Sequence, residues 1–218
     1  MALRESDLLY SVEDYLAYER AATVRHEYVD GYLYEMAGET LPHGDICVSL
    51  TRIISTAILG TPCRALTKDT KVKSGPFANP RRTMKGMFSY PDLVVVCGQP
   101  QFHDDYKDIL LNPTIIIEVL SPGTEAFDRG GKFLRYRNFS PSLTDYILVA
   151  QDRAVIDHFQ RQEDGLWLLR TIQGLDSELH LAALGCVLSL REVYDRVEFP
   201  PPEEWEEIDS ENDGHTIG

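Results

Sequence analysis

The chain has 218 residues, of which 43% are hydrophobic and 26% are charged, values that are typical of one globular domain with a sizeable core. No apolar run approaches the ~18 residues of a membrane span, and the charged start MALRESDLLY lacks the apolar region of a signal peptide, so we expect a cytoplasmic protein. The net charge of −14 argues at first against a nucleic-acid partner.

The acidic charge is concentrated at the C-terminal end of the chain. Residues 198–218 hold eight acids and no lysine or arginine, which leaves 27 acids against 21 bases, a net charge of −6, in the remainder. An acidic, proline-containing segment of this kind is typical of disorder. We therefore predict a folded domain over residues 1–197 and a disordered acidic tail over residues 198–218, a tail that would repel phosphate at long range.

Three elements are predicted in the N-terminal quarter. Ser11 is a candidate N-cap with Asp14 at N3, so a short helix is expected to begin here. Asp30-Gly31 predicts the tight turn of a β-hairpin. The segment 43–59 has apolar residues at helical spacing, and Gly60 is expected to end that helix.

The next segment, residues 63–74, alternates like an exposed or edge strand and belongs to a basic stretch. From Arg64 to Lys85 there are seven bases and one acid. Such a stretch is either a solvated surface or a surface that contacts phosphates. Under the second interpretation, the candidate nucleic-acid-binding residues are Lys68, Lys71, Lys73, Arg81 and Arg82.

Two short apolar strands follow, at residues 91–97 and 114–120, and each carries one carboxylate. Asp92 begins the first strand, and Glu118 lies among β-branched residues near the end of the second. Alternation places Ile116, Glu118 and Leu120 on one face and Ile115, Ile117 and Val119 on the other. If the strands are neighbours, the two carboxylates meet at one edge, where Mg²⁺ or Mn²⁺ can separate them. The alternative is a structural ion pair between Glu118 and a base of the following helix.

The C-terminal half is predicted to contain a helix that carries Lys132 and is weakened by Gly130-Gly131, where we expect the close approach of another element. A buried strand at 145–150, a hairpin through residues 163–165 and a last short helix within 185–197 complete the fold. The predicted fold class is α+β, with a mixed sheet flanked by helices.

The four cysteines, Cys47, Cys63, Cys97 and Cys186, are far apart in sequence. None belongs to a CxxC pair, and each has apolar neighbours. We therefore expect reduced core cysteines, and the spacing does not support a zinc site.

Several motifs, taken in order, resemble one known family. The segments RHEYVDGYLYEMAGET, PHGDICVSL, YPDLVVVC, IIIEVLSPGTEAFDRGGKFLRYRNF and SLTDYILV resemble the Uma-type restriction endonucleases, a bacterial family of the PD-(D/E)XK nuclease superfamily. The resemblance covers roughly residues 10–195. It implies a restriction-endonuclease-like core: a mixed central β-sheet flanked by helices, with an added N-terminal hairpin and added C-terminal strands.

The resemblance also implies roles for individual residues. Pro91-Asp92 and Glu118 match the superfamily signature and would ligate the metal, but Leu120 stands where the signature has lysine. Lys132 of the next helix is the natural substitute, although it could instead form a surface pair with Asp128. Two further candidates are Glu27, as a third catalytic carboxylate or as half of a surface ion pair, and His43, as a group that hydrogen-bonds a phosphate or Glu27 or as a polar cap of its helix.

The function that follows is a Mg²⁺- or Mn²⁺-dependent DNA endonuclease with no organic cofactor. Because cutting two strands takes two sites, a homodimer is expected by analogy. One alternative is a catalytically weak or inactive nuclease-fold protein that binds nucleic acid or a protein partner. Another is a metal-dependent hydrolase of a different phosphoester. Lys132 separates these alternatives, since a lysine in the same cleft as Asp92 and Glu118 favours hydrolysis.

Overall fold

The computed structural model describes residues 8–36, 38–76 and 86–200. The predictions for Arg81 and Arg82, and for the tail beyond residue 200, fall outside these ranges and stay predictions. None of the helices in the described part of the chain combines the length and the apolar character that a membrane span requires.

The N-terminal elements form as their local signals predict. Helix α1 (Val12–Ala21) begins after Ser11, whose hydroxyl accepts a hydrogen bond from the Asp14 amide at 3.0 Å, which confirms the predicted cap. Strands β1 (His26–Val29) and β2 (Tyr32–Glu35) form the predicted hairpin. Its turn residues Asp30 and Gly31 have φ angles of 50° and 98°, the left-handed backbone that a tight two-residue turn requires.

The remaining elements follow in chain order. They are α2 (Leu41–Ala57), β3 (Cys63–Thr67), β4 (Lys71–Ser74), β5 (Met87–Ser89), β6 (Leu93–Cys97), β7 (Ile109–Leu110), β8 (Ile115–Val119), α3 (Glu125–Phe127), a π-helical turn (Asp128–Lys132), α4 (Phe133–Phe139), β9 (Asp145–Val149), β10 (Val155–Arg161), β11 (Trp167–Gln173), β12 (Glu178–Leu181), β13 (Cys186–Ser189) and α5 (Leu190–Val193). Segment 185–197, which was predicted to be a helix, is therefore a strand followed by one helical turn.

The central sheet has the strand order β11-β10-β9-β8-β6-β3 in the described residues. Strands β3, β6 and β8 form an antiparallel meander, and β9 pairs parallel to β8 after the helical crossover of residues 125–139. This mixed sheet, flanked by α2 and by the crossover helix, confirms the predicted α+β class. Parallel neighbours require such a crossover, and it places the helix that carries Lys132 over the strand that carries Glu118.

A second sheet, of order β2-β1-β5-β4-β7, contains the N-terminal hairpin. The single strand that was predicted over residues 63–74 is two strands in two different sheets. The chain leaves the central sheet after β3, turns through Thr67–Thr70, where the amide of Thr70 donates to the carbonyl of Thr67, and enters the second sheet as β4.

The two faces of β8 pack as the alternation predicts. Ile115, Ile117 and Val119 belong to the core that includes α2, whereas Ile116 and Leu120 pack in a separate core with Phe133 and Tyr136 of α4. Each fully buried side chain of this size stabilises the fold by about 1.5–3 kcal/mol. Burial on both faces fixes the register of β8, and with it the position of Glu118.

The cysteine prediction was wrong for one pair. Cys63 and Cys97 are opposite each other in the β3–β6 register and form a disulfide. Their 34-residue separation conceals a contact that arises only from the strand pairing. Cys47 and Cys186 are free thiols, each half-buried.

Candidate active site

Asp92 and Glu118 come together because β6 and β8 are antiparallel neighbours. Leu93 pairs with Ile117, so Asp92, one residue before Leu93, lies beside Glu118, one residue after Ile117. Asp92 Oδ2 also accepts a hydrogen bond of 2.8 Å from the backbone amide of Val119. The strand pairing therefore brings both carboxylates of the signature to one edge of the central sheet.

Lys132 lies at the centre of this edge. Its Nζ atom is 2.9 Å from Glu118 Oε1, 3.1 Å from Glu27 Oε1 and 3.3 Å from Asp128 Oδ1. The lysine side chain is only 5% exposed, so the pair with Asp128 is not the surface pair that was considered from sequence. The ion pair between Glu118 and a base of the following helix does form, but Lys132 shares its charge among three acids.

We call Glu27, Asp92, Glu118, Asp128 and Lys132 the carboxylate site. Glu27, Glu118 and Asp128 surround the ammonium, Asp92 lies beside Glu118, and the buried atoms Glu118 Oε1 and Asp128 Oδ1 face the ammonium without the alignment of a hydrogen bond. Burial raises the pKa of Glu118 well above its usual range, Lys132 opposes this shift, and Asp128, Asp92 and Glu27 add to it. Burial opposes the charge of Lys132, but the carboxylates outweigh it and raise the pKa of Lys132.

His43, in the first turn of α2, borders the carboxylate site. Its Nε2 atom is 3.4 Å from Asp92 Oδ2, and its Nδ1 atom is 3.4 Å from Glu39 Oε2. Burial lowers the pKa of His43, but Asp92 and then Glu39 outweigh that effect and raise it. The partner of His43 among the acids of the site is thus Asp92, and not Glu27 as the sequence suggested.

Asp128 is a member of the site that the sequence interpretation missed. It begins the π-helical turn that ends at Lys132, and its carbonyl accepts a hydrogen bond of 3.0 Å from Tyr146 Oη. A π turn within an α-helix is rare and is frequent at functional sites. The sequence feature that could have indicated this turn was Gly130-Gly131. A Cβ atom at Gly131 would lie 2.9 Å from the Phe127 ring, so the close neighbour belongs to the preceding turn of the same helix.

A second buried polar cluster lies beside the carboxylate site and is joined to it by Tyr90. The Tyr90 amide donates to Glu27 Oε1 at 3.2 Å, whereas its hydroxyl donates to Glu19 Oε1 at 2.7 Å. We call this cluster the Glu19 network. Its members are Glu19, Arg20, His26, Lys71, Tyr90, Asp104 and Asp108.

The predicted nucleic-acid-binding lysines occupy three different environments. Lys68 is 40% exposed and pairs with Glu39 at 2.8 Å. Lys73 is half-buried, and its ammonium lies 3.3 Å from His103 Nδ1. Lys71 is buried with its ammonium on Tyr90 Oη and Asp108, a position that argues against contact with a phosphate.

The carboxylate site fits a divalent cation by its donor set. Two of its buried oxygens have no aligned hydrogen-bond donor, and its four acids outnumber its single lysine, in the part of the chain that the structure describes. Carboxylate oxygens are the ligands that suit Mg²⁺ and Mn²⁺. Asp92 and Glu118 are the residues that would hold the ion, with Lys132 and His43 at its border.

The chain is similar to known proteins over most of its length. The family model of Uma2, described as "Putative restriction endonuclease", matches residues 12–191. Two Synechocystis proteins are similar over most of their length: "Uncharacterized protein slr1290" is 34% identical over 84% of this chain and 90% of its own, and "Uncharacterized protein sll1609" is 27% identical over 80% and 93%.

One solved structure shares the fold. The crystal structure of "a putative nuclease belonging to DUF820" from Anabaena variabilis superposes with a TM-score of 0.67, covering 85% of this chain and 97% of that one. The sequence identity is 14%, so the likeness concerns the fold alone.

Proposed function

Because this chain belongs to the Uma2 family, described as "Putative restriction endonuclease", we propose that it is a metal-dependent endonuclease that hydrolyses the phosphodiester bonds of DNA. The proposed cofactor is Mg²⁺ or Mn²⁺, and the proposed catalytic residues are Asp92, Glu118, Lys132, Glu27 and His43. Asp128 joins this set as an acid that borders Lys132.

The observation that carries this proposal is the position of Lys132. The lysine is displaced from the strand to the next helix, yet its ammonium is 2.9 Å from Glu118 and shares the sheet edge with Asp92. A nuclease-fold protein that only binds a partner has no need to bury a lysine among three acids with a fourth, Asp92, beside them, because this excess of acids costs free energy unless a cation balances it. The geometry therefore favours hydrolysis over the binding-only alternative.

The side chains have distinct roles in this proposal. A divalent ion on Asp92 and Glu118 would polarise the phosphodiester and supply a nucleophile at neutral pH. The Lys132 ammonium would stabilise negative charge that develops on the phosphorus oxygens. Glu27, held by the Tyr90 amide and by Lys132, orients that ammonium, and His43 holds Asp92 from the opposite side.

The DNA-contacting surface is proposed to be the basic stretch, without Lys71. Lys68 and Lys73 are its described members, and Arg81 and Arg82 extend it in sequence. Phosphate contacts of this kind give sequence-independent affinity that falls as salt rises. A homodimer, with one site for each strand, completes the proposal, and light scattering on the purified protein tests it.

The decisive experiment is cleavage of plasmid and linear duplex DNA by the full chain with Mg²⁺, Mn²⁺ or chelator. We expect metal-dependent nicking or cutting that Asp92→Asn and Lys132→Met each reduce by at least about 100-fold while DNA binding is retained. Asp152→Asn is the matched control, because this acid is 55% exposed and outside the site.

Two results would contradict the proposal. If the wild type binds DNA but cleaves no duplex or single strand with either metal, the binding-only alternative replaces it. If it neither binds nor cleaves DNA but hydrolyses a small phosphodiester in a reaction that requires Asp92, the hydrolase of another phosphoester replaces it.

A further inference from the structure

A second set of potential metal ligands lies at the start of α2, next to the carboxylate site. His43 and Cys47 are four residues apart on one side of α2, and Glu39 lies just before the N-cap Thr40. Glu39 Oε2 is 3.4 Å from His43 Nδ1, and Cys47 Sγ is 3.5 Å from the same nitrogen. All three potential ligand atoms lie within 4.8 Å of one another.

These separations match the edges of a tetrahedral zinc site. With metal–oxygen and metal–nitrogen bonds of about 2.0–2.1 Å and a metal–sulfur bond of about 2.3 Å, tetrahedral angles place oxygen and nitrogen about 3.4 Å apart, and nitrogen and sulfur about 3.5 Å apart. Two of the three separations thus have tetrahedral length before any metal binds, and the third, from Glu39 to Cys47, is within 4.8 Å. Three protein ligands with one open position are typical of exchangeable or catalytic zinc.

The chemistry of the donors differs from that of the carboxylate site. Sulfur and imidazole nitrogen favour zinc-class transition metals over Mg²⁺, whose ligands are oxygens. A thiol must lose its proton to ligate a metal, so the cluster favours metals with high affinity for thiolate.

The remaining ring nitrogen of His43 connects the two sites. A metal on Nδ1 leaves Nε2 with its proton, and Nε2 is 3.4 Å from Asp92 Oδ2. A carboxylate behind a metal-bound histidine fixes the ring and strengthens it as a ligand. Glu39 is also paired with Lys68 at 2.8 Å, so the metal competes with an exposed ammonium for that ligand.

We propose that Glu39, His43 and Cys47 form a site for a zinc-class transition metal, separate from the oxygen ligands of Asp92 and Glu118 and linked to them through His43. The cluster needs no paired-cysteine motif, which is why cysteine spacing alone gave no sign of it. The inference does not depend on nuclease activity, because it concerns the binding of a different metal by a different set of ligands.

The test is a Co²⁺ titration of the full chain, followed by optical absorption. We expect one Co²⁺ per chain to produce a thiolate-to-cobalt charge-transfer band in the near ultraviolet, together with the intense visible bands of four-coordinate cobalt, and Zn²⁺ to remove both. Cys47→Ser abolishes the charge-transfer band. Cys186→Ser, the matched control at the other free cysteine, retains it.

Further variants separate the two sites. Glu118→Gln keeps the band and the cobalt affinity, whereas Asp92→Asn keeps the band but weakens the affinity by about 10-fold or more through the loss of support for His43. Glu39→Gln, at a half-exposed position where the fold is insensitive, weakens the affinity without any change in the melting temperature of the metal-free protein. The proposal is overturned if the wild type gives no band, if Cys47→Ser retains it, or if Glu118→Gln abolishes it.

Discussion

The carboxylate site and the Glu19 network are two buried clusters of acids, each with one lysine, that differ in charge balance. In the Glu19 network the acids Glu19, Asp104 and Asp108 face Lys71, Arg20 and the His26 ring, and Glu19 accepts hydrogen bonds from the His26 amide and the Tyr90 hydroxyl. The carboxylate site has three acids around Lys132, with Asp92 beside Glu118 and His43 at its border, and two of its buried oxygens lack an aligned donor among the described residues.

Under the proposed function, this difference separates a cluster that serves the fold from one that serves chemistry. A buried charge is tolerated when it is paired and hydrogen-bonded, as the charges of the Glu19 network are. An excess of buried negative charge is unfavourable unless a positive charge compensates it, and a bound cation can provide that charge. Replacing an acid in one cluster should therefore have the opposite consequence to replacing an acid in the other.

The largest expected effect is that of Glu118→Gln on cleavage. The substitution removes a proposed metal ligand, so we expect DNA cleavage to fall by at least about 100-fold. In metal-free buffer the melting temperature should stay constant or rise, because the change removes one of several buried like charges. A large loss of stability without metal would instead make Glu118 half of a structural ion pair, and the contrast with the Glu19 network would disappear.

The second effect is that of Glu19→Gln on stability. An NH2 group replaces one of the two carboxylate oxygens, so either the His26 ring on Oε2 or the His26 amide and Tyr90 hydroxyl on Oε1 lose a buried acceptor, which costs about 2–4 kcal/mol. Urea unfolding followed by circular dichroism measures the change. An unaltered free energy of unfolding would show that the Glu19 network is no more than a set of weak contacts.

A third prediction concerns metal ions and the melting temperature. At 100 times its dissociation constant, Mn²⁺ should stabilise the wild type by about 2.7 kcal/mol, because it binds the folded chain alone. Asp92→Asn should lose this gain, and Asp108→Asn in the Glu19 network should retain it. Equal stabilisation of both variants by Mn²⁺ would place the ion elsewhere.

The smallest expected effect is the pH dependence of the stability that Asp108 contributes in the Glu19 network. Burial alone would raise the pKa of Asp108, but the hydrogen bonds from Arg20 and Lys71 outweigh it and lower that pKa. A lowered folded-state pKa contributes stability above the ordinary pKa of aspartate, and this contribution is lost as the pH falls through the folded value. Asp108→Asn should therefore be about 1 kcal/mol less stable than the wild type at pH 7, and the difference should shrink below about pH 4. A difference that is constant with pH would exclude this ion pair as its cause.

Local signals predicted the parts of the fold that depend on neighbouring residues. The Ser11 cap, the Asp30-Gly31 turn and the two faces of β8 each follow from spacing within a few residues. Similar reasoning predicted that Asp92 and Glu118 lie together at the ends of neighbouring strands, because strands that are consecutive in sequence tend to be neighbours in a sheet.

The unpredicted features depend on contacts between distant residues. Lys71 looks like any other lysine in a basic stretch, and its burial follows from Tyr90 and Asp108, which β4 meets only in the folded second sheet. The Cys63–Cys97 disulfide depends on the β3–β6 register in the same way. Asp128 was misjudged because an i,i+4 pair with Lys132 is ordinary on a helix surface, and only the packed structure shows that the pair faces inward.

The π-helical turn of residues 128–132 determines how far the side chains after it are rotated about the helix axis, relative to those before it. An α-helix advances about 100° per residue, and a π turn carries roughly one residue more than an α turn. The residues after the turn are therefore rotated relative to those before it, so that Phe133 and Tyr136 enter the core while Lys132 still reaches Glu118. Deletion of one glycine from the turn would restore an uninterrupted helix, but either the aromatic side chains would leave the core or the ammonium would move away from Glu118. One additional residue in the turn therefore lets the same helix pack its aromatic side chains and place Lys132 beside Glu118.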